Sequence, residues 1–300
     1  MHTPDERFAT VGDVELCYET FGDPGAEPLL LVMGLATQML GWHEDFCEEL
    51  VGRGFFVIRY DNRDIGRSTH LRGRRPPTTA EIVTRRLRNP AYTLSDMAAD
   101  GAGLLEHLGL DSAHVTGASM GGMIAQTIAA EHPDRVRSLV SIMSSTGNVL
   151  AGRPALRTYP FLLRRPGGGR DAYIERAQRV FGVVGSPGFE RDDARLRELA
   201  GLSYDRGVTA AGVGRQLGAI LASGDRTSAL RRISAPTLVV HGRSDRLVAP
   251  SGGRATARAI PDARLLLIDG MGHDLPRGVW PQLVDGIADT AARAGSVALK

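Results

Sequence analysis

The sequence is poor in several things whose scarcity narrows what it encodes. Only two of its 300 residues are cysteine, Cys17 and Cys47. They lie far apart, in neither a CxxC nor a His-rich spacing, so neither a zinc site nor a disulfide framework is indicated and reduced, partly buried thiols are expected. No stretch approaches the about 18 consecutive apolar residues of a membrane span. The opening Met1-His-Thr-Pro-Asp-Glu-Arg7 has no basic segment leading into an apolar one, so no secretory signal is read and a cytoplasmic location without membrane insertion is expected. An excess of charge is also lacking. The net charge of +2 offers no strong field for nucleic acid or an anionic membrane. Lysine is confined to Lys300, and the preference for arginine is read as compositional bias. There are no internal repeats, and low complexity is limited to Gly167–Gly169. No phosphate-cradling motif or metal-ligand spacing occurs, so neither a metal nor another cofactor is expected. No pattern specifies an oligomeric state.

What is present is an ordinary globular balance, 42% hydrophobic and 23% charged, in a chain long enough for one α/β domain with an insertion. Phe8 to Thr10 and Val14 to Thr20 alternate in polarity around Gly12-Asp13, the pattern of a hairpin at a sheet edge. Pro28 to Met33 and Phe55 to Tyr60 read as strands, the first apolar throughout as for a strand buried on both faces. Trp42 to Arg53 and Leu94 to Leu108 have helical spacing. Ser112 to Thr116 predicts a strand, Met120 to Glu131 a helix stopped at His132-Pro133, and Arg135 to Met143 another strand. This alternation calls for a mostly parallel, twisted sheet of about eight strands with helices on both faces.

From Thr146 to about Asp225 the alternation stops and no convincing strand is found, only helical segments. Periodicity resumes with a strand ending at His241, a helix near Gly253 to Ala259, the strand Ala263 to Ile268 and a helix near Trp280 to Arg293. The expected organisation is therefore a core of residues 1–145 and 226–300 interrupted by a helical insertion at 146–225, since an unstructured loop of that length is implausible in a compact domain.

The chemistry centres on Val115-Thr-Gly-Ala-Ser119-Met-Gly-Gly122. It fits G-x-S-x-G between a strand and a helix, the setting of a nucleophile elbow. Gly117 and Gly121 lack a Cβ, which permits a strained serine backbone and close approach of strand and helix. A serine hydroxyl needs a base, and the base needs a third group to hold it. Asp245, in Gly242-Arg-Ser-Asp-Arg246, and His273, in Gly270-Met-Gly-His-Asp274, follow the serine in the order expected, each just beyond a strand end. The loop after Arg135 to Met143 holds no carboxylate. Asp274, next to the histidine, remains the competing acid. The donors for a developing oxyanion are assigned to the backbone N–H groups of Met120 and of Leu35, the latter in Met33-Gly34-Leu35, with Gly34 giving the turn. Asp61-Asn-Arg-Asp-Ile-Gly-Arg-Ser68 reads as a structural turn beneath that loop. His43, His70, His114, His132 and His241 are given no chemical role.

The segments Met33 to Trp42, Ile58 to Ser68, Gly117 to Met123 and Gly270-Met-Gly-His-Asp-Leu-Pro276 resemble the α/β-hydrolase superfamily over nearly the whole chain. Within it they look like bacterial esterases of the aclacinomycin methylesterase and mycobacterial lipase-like kind. The resemblance implies hydrolysis of a carboxylic ester by Ser119, Asp245 and His273 beneath a helical cap, with a small-molecule ester as the partner. Thioester or lactone hydrolysis, acyl transfer, carbon–carbon cleavage and perhydrolysis use the same triad, and a ligand-binding receptor with little turnover is a further alternative.

Gly34, Met39, Trp42, Met123 and Met143 are read as the substrate-binding set, near the strand ends where a Met-rich mouth adapts to apolar groups. Tyr159 to Leu163 and Tyr173 to Val184 have apolar faces suited to covering it. The arginines at 72, 74, 75, 85, 86 and 88 are expected on a solvated loop.

Overall fold

Apolar runs become strands here because their side chains can be covered on both faces, and the amphipathic runs between them supply that cover. The computed structural model describes residues 5–155, 158 and 168–297. Eight strands form one sheet: β1 (Arg7–Val11), β2 (Val14–Phe21), β3 (Glu27–Val32), β4 (Phe55–Tyr60), β5 (Ala113–Ala118), β6 (Val136–Ile142), β7 (Thr237–Gly242) and β8 (Arg264–Ile268). Their order is β1-β2-β4-β3-β5-β6-β7-β8. β2 runs antiparallel to β1 and to β4, and the remaining pairs are parallel. The edge hairpin and the mostly parallel sheet are as the polarity pattern predicts.

Two apolar layers hold the sheet. On one face α3 (Leu94–His107) and α4 (Met120–Glu131) pack Leu104, Leu105, Ile124 and Ile128 against Leu30, Val32 and Val115. On the other, α1 (Glu44–Val51) and the C-terminal helix (Trp280–Val297) pack Phe46, Leu50, Trp280 and Leu283 against Leu29, Leu31 and Val140. Alternate residues of β3 thus feed opposite layers, and each buried leucine contributes about 1.5–3 kcal/mol. α3 begins where Thr93 and Asp96 cap each other reciprocally.

Register decides where the loops emerge. Val32 pairs with Gly117, Ala118 with Ile142, Ile142 with Val240 and Gly242 with Ile268. The carboxyl ends of β3, β5, β6, β7 and β8 therefore line up, and the loops after them share one rim of the sheet.

Between β6 and β7 the described residues form helices, α5 (Arg170–Val184), α6 (Asp193–Arg206), α7 (Ala210–Ser223) and α8 (Thr227–Leu230), with no strand among them. The segment Tyr159–Leu163 lies outside the described residues. The connection at 72–88 differs from a plain loop: its arginines are exposed as expected, but Thr79–Thr84 forms α2. Thr78 and Glu81 make a capping box there, and Arg75 grips the Glu81 carboxylate with two bonds of 2.7 and 2.8 Å. The Thr-x-x-Glu spacing was the available signal. After β7 come α9 (Ser251–Ala259) and, after β8, α10 (Trp280–Val297). Among the described residues no helix is long and apolar enough to cross a membrane.

Candidate active site

Ser119 sits on the one-residue turn between β5 and α4, with φ 57 and ψ −118. An L-residue pays of order 1–3 kcal/mol for such a backbone, so the surroundings must enforce it. They do. The Ser119 N–H donates to Ile142 O at 2.9 Å, and its carbonyl accepts from Ser144 Oγ at 2.8 Å and from Met123 N at 3.1 Å. The glycines around it are needed for space: a Cβ on Gly117 would lie 2.1 Å from Gly121 O, and one on Gly121 would lie 2.1 Å from Val32 O.

His273 reaches this turn from the loop after β8. Its Nε2 lies 2.9 Å from Ser119 Oγ and its Nδ1 2.7 Å from Asp245 Oδ2. An ionised carboxylate only accepts, so Nδ1 carries the proton and Nε2 presents its lone pair to the serine hydroxyl. The second Asp245 oxygen accepts from Leu247 N and Val248 N, both at 2.9 Å. Burial works to raise the Asp245 carboxyl, but the adjacent His273 and the hydrogen bonds of His241 and His273 outweigh it and hold the group well below the usual carboxylate range. His241 donates through Nε2 to Val248 O at 2.8 Å, bracing the loop that carries the acid. Asp274 is turned away: its carboxylate accepts from Ser186 Oγ, and burial raises it.

The loop after β3 lies against the serine, since a Cβ on Gly34 would be 3.1 Å from Ser119 Cβ and 3.6 Å from its Oγ. Asn62 Nδ2, in the turn at 61–68, supports this loop by donating to Met33 O at 2.9 Å. Among the described residues neither the Leu35 nor the Met120 amide donates to a protein acceptor. Met120 opens α4, where the first N–H groups have no partner within the helix. Met123 and Met143 keep a little exposure, at 7% and 5%. Met39 and Trp42 have none: Met39 packs with Cys17 and Leu40, and Trp42 stacks on Phe46. A side chain without accessible surface cannot line a cavity, so the structure places these two in the core. The turn Met39–Gly41 directs them inward, which proximity in sequence to the Gly34 loop does not reveal.

Sequence reasoning missed the residues that hold the loops. His273 N donates to Val184 O at 2.7 Å, and Gly272 N donates to Ser186 Oγ at 2.8 Å, so the end of α5 carries the histidine loop. Gln216 on α7 accepts from Ala36 N at 3.1 Å. Its signal was a glutamine on the apolar face defined by Val213, Leu217 and Ile220. Among the described residues no three His, Cys, Asp or Glu side chains are grouped as metal ligands. The arrangement is suited to making a serine nucleophilic and to stabilising negative charge beside it.

A family model described as the alpha/beta hydrolase fold matches residues 27–276. Rhodomycin D methylesterase DauP of Streptomyces sp. (strain C5) is 30% identical, over 94% of this chain and 96% of its own length. The 3-oxoadipate enol-lactonase 2 of Acinetobacter baylyi is 27% identical, over 87% of each chain. Among solved structures, a thermophilic esterase from Thermogutta terrifontis superposes with a TM-score of 0.68 at 24% identity, covering 97% of this chain and 99% of that one, a likeness of fold.

Proposed function

The chain belongs to the alpha/beta hydrolase fold family, and from that premise we propose that it is a serine hydrolase of carboxylic esters. The observation that carries the reading is the unbroken relay from Asp245 through His273 to Ser119, at 2.7 and 2.9 Å. A relative named as a methylesterase, alignable over nearly the full length, directs the first trial toward methyl and other small alkyl esters.

In this mechanism Ser119 Oγ attacks the ester carbonyl as His273 Nε2 takes its proton. The tetrahedral oxyanion is met by the N–H groups of Leu35 and Met120, and the α4 N-terminus adds favourable potential. His273 then protonates the departing alcohol, leaving an acyl group on Ser119. Water, deprotonated by the same imidazole, attacks the acyl carbonyl, and His273 returns that proton to Ser119 Oγ as the acyl–serine bond breaks and the acid departs. Asp245 keeps the tautomer and stabilises the imidazolium. Each step uses the side chains of the relay, backbone N–H groups and water. Gly34, Met123 and Met143 line the acyl side, and helices α5 to α7 form a cap over it, with a cytoplasmic small-molecule ester as substrate.

The test is hydrolysis of a panel of methyl and p-nitrophenyl esters graded in acyl length, with competing alcohol and peroxide in parallel. Ser119-dependent release of acid supports the reading. Products formed mainly from the alcohol or peroxide, or turnover retained in Ser119→Ala, count against it.

A further inference from the structure

The peptide units on either side of Leu35 are held at three of their four polar groups. The Gly34 carbonyl accepts from Thr37 N at 3.3 Å, and the Leu35 carbonyl accepts from Thr37 Oγ1 at 3.2 Å. The Ala36 N–H donates to Gln216 Oε1 at 3.1 Å. The fourth group is the Leu35 N–H, which among the described residues has no acceptor. Ala36 has a φ of 60, a left-handed conformation that an alanine adopts only when its neighbours require it.

Gln216 has no accessible surface and uses both ends of its amide, since Nε2 donates to Arg63 O at 2.9 Å. It therefore spans two loops from a third element. That element is itself fixed. Arg215, the preceding residue on α7, grips the buried Asp64 carboxylate at 2.8 and 2.6 Å and reaches Arg74 O at 2.9 Å. Gly212 on the same helix has room only for hydrogen, because a Cβ would lie 2.4 Å from Asp64 O. Just before the helix, Gly207 O accepts from Gly66 N at 2.9 Å. A helix anchored this firmly presents Gln216 as a rigid acceptor rather than a passing contact.

We infer that Gln216 is a positioning residue: by holding the Ala36 amide it fixes the peptide planes around Leu35 and aims the Leu35 N–H at the oxyanion. This rests on the proposal that Leu35 supplies an oxyanion donor. It assigns to α7, within the segment between β6 and β7, a part in transition-state stabilisation that does not involve touching substrate.

The experiment compares wild type, Gln216→Met and Ser119→Ala with a p-nitrophenyl ester and with a trifluoromethyl ketone that mimics the tetrahedral oxyanion. Methionine matches glutamine in volume but offers no acceptor to Ala36. The expected result is a kcat lowered about 10- to 100-fold, KM nearly unchanged, and ketone affinity weakened in parallel with kcat. An unchanged kcat, or a fall in thermal stability with ketone affinity intact, would overturn the inference. Should Gln216→Met fail to fold, Gln216→Glu keeps an acceptor for the Ala36 N–H while losing the donor to Arg63 O; kcat and ketone affinity within a few-fold of wild type are expected, and their parallel loss would overturn the inference. Wild-type turnover that survives in Ser119→Ala removes the underlying reading instead, so the two failures are distinguishable.

Discussion

His273 Nδ1 lies 2.7 Å from the carboxylate of Asp245, 28 residues away in sequence, while the carboxylate of its immediate neighbour Asp274 is bonded to Ser186. Which carboxylate meets His273 is thus decided by the meeting of two strand-end loops and not by adjacency. Asp245→Asn is expected to lower kcat by about 10³- to 10⁴-fold, because an amide in place of the carboxylate favours the wrong imidazole tautomer. Asp274→Asn keeps an acceptor for Ser186 and should retain most of the activity. Steady-state kinetics on both variants decide between the two acids, and the reverse ranking would reassign the role.

A second prediction concerns the histidine of β5. Burial lowers His114 to about 4, against the opposing pull of Glu27, and its Nδ1 lies 2.8 Å from Ser138 Oγ. The folded state keeps this ring neutral where the unfolded chain, with an ordinary value near about 6.5, takes up a proton. Stability from this group is therefore full above about 6.5 and declines as the pH falls toward about 4, by an amount on the order of 3 kcal/mol. Thermal melts at pH 7.5 and 5 should show a smaller acid loss for His114→Asn than for wild type. Equal losses would show that other groups set the acid limit.

The third prediction tests the elbow's spacing. Gly121→Ala would set a Cβ 2.1 Å from Val32 O, a backbone atom that cannot yield. Destabilisation of about 3 kcal/mol or more is expected, visible as a lowered urea midpoint. Gly73→Ala, where a Cβ meets nothing within 4 Å, is the neutral control.

Fourth, Cys17 and Cys47 are free thiols without accessible surface, and burial pushes both up to about 12. The native protein should react with no equivalents of Ellman's reagent and the denatured protein with two. A fast-reacting native thiol would place one of them at the surface.

The candidate relay is legible in the chain because the three residues proposed to react stand at strand ends marked by glycine. Ser119 announces itself between Gly117 and Gly121, and Asp245 and His273 follow Gly242 and Gly270 at the ends of apolar runs. The supports around them are less legible. Gln216 and Ser186 work through distances of 180 and 86 residues in sequence to Ala36 and Gly272, and a local pattern cannot specify a partner so remote. Trp42 and Met39 show the opposite error. Their place near a strand end is that of a binding wall, whereas a short turn rotates both into the core. The missed helix Thr79–Thr84 was signalled by its capping box but obscured by the arginines on either side.

The central claim is that Ser119 is the nucleophile, and an active-site-directed fluorophosphonate tests it most directly. Intact-mass measurement should show one adduct on the wild-type protein, located by peptide mapping to Ser119, and none on Ser119→Ala. The wild-type rate of labelling should fall in Asp245→Asn. An adduct that persists in Ser119→Ala, or one mapped to another residue, would contradict the account.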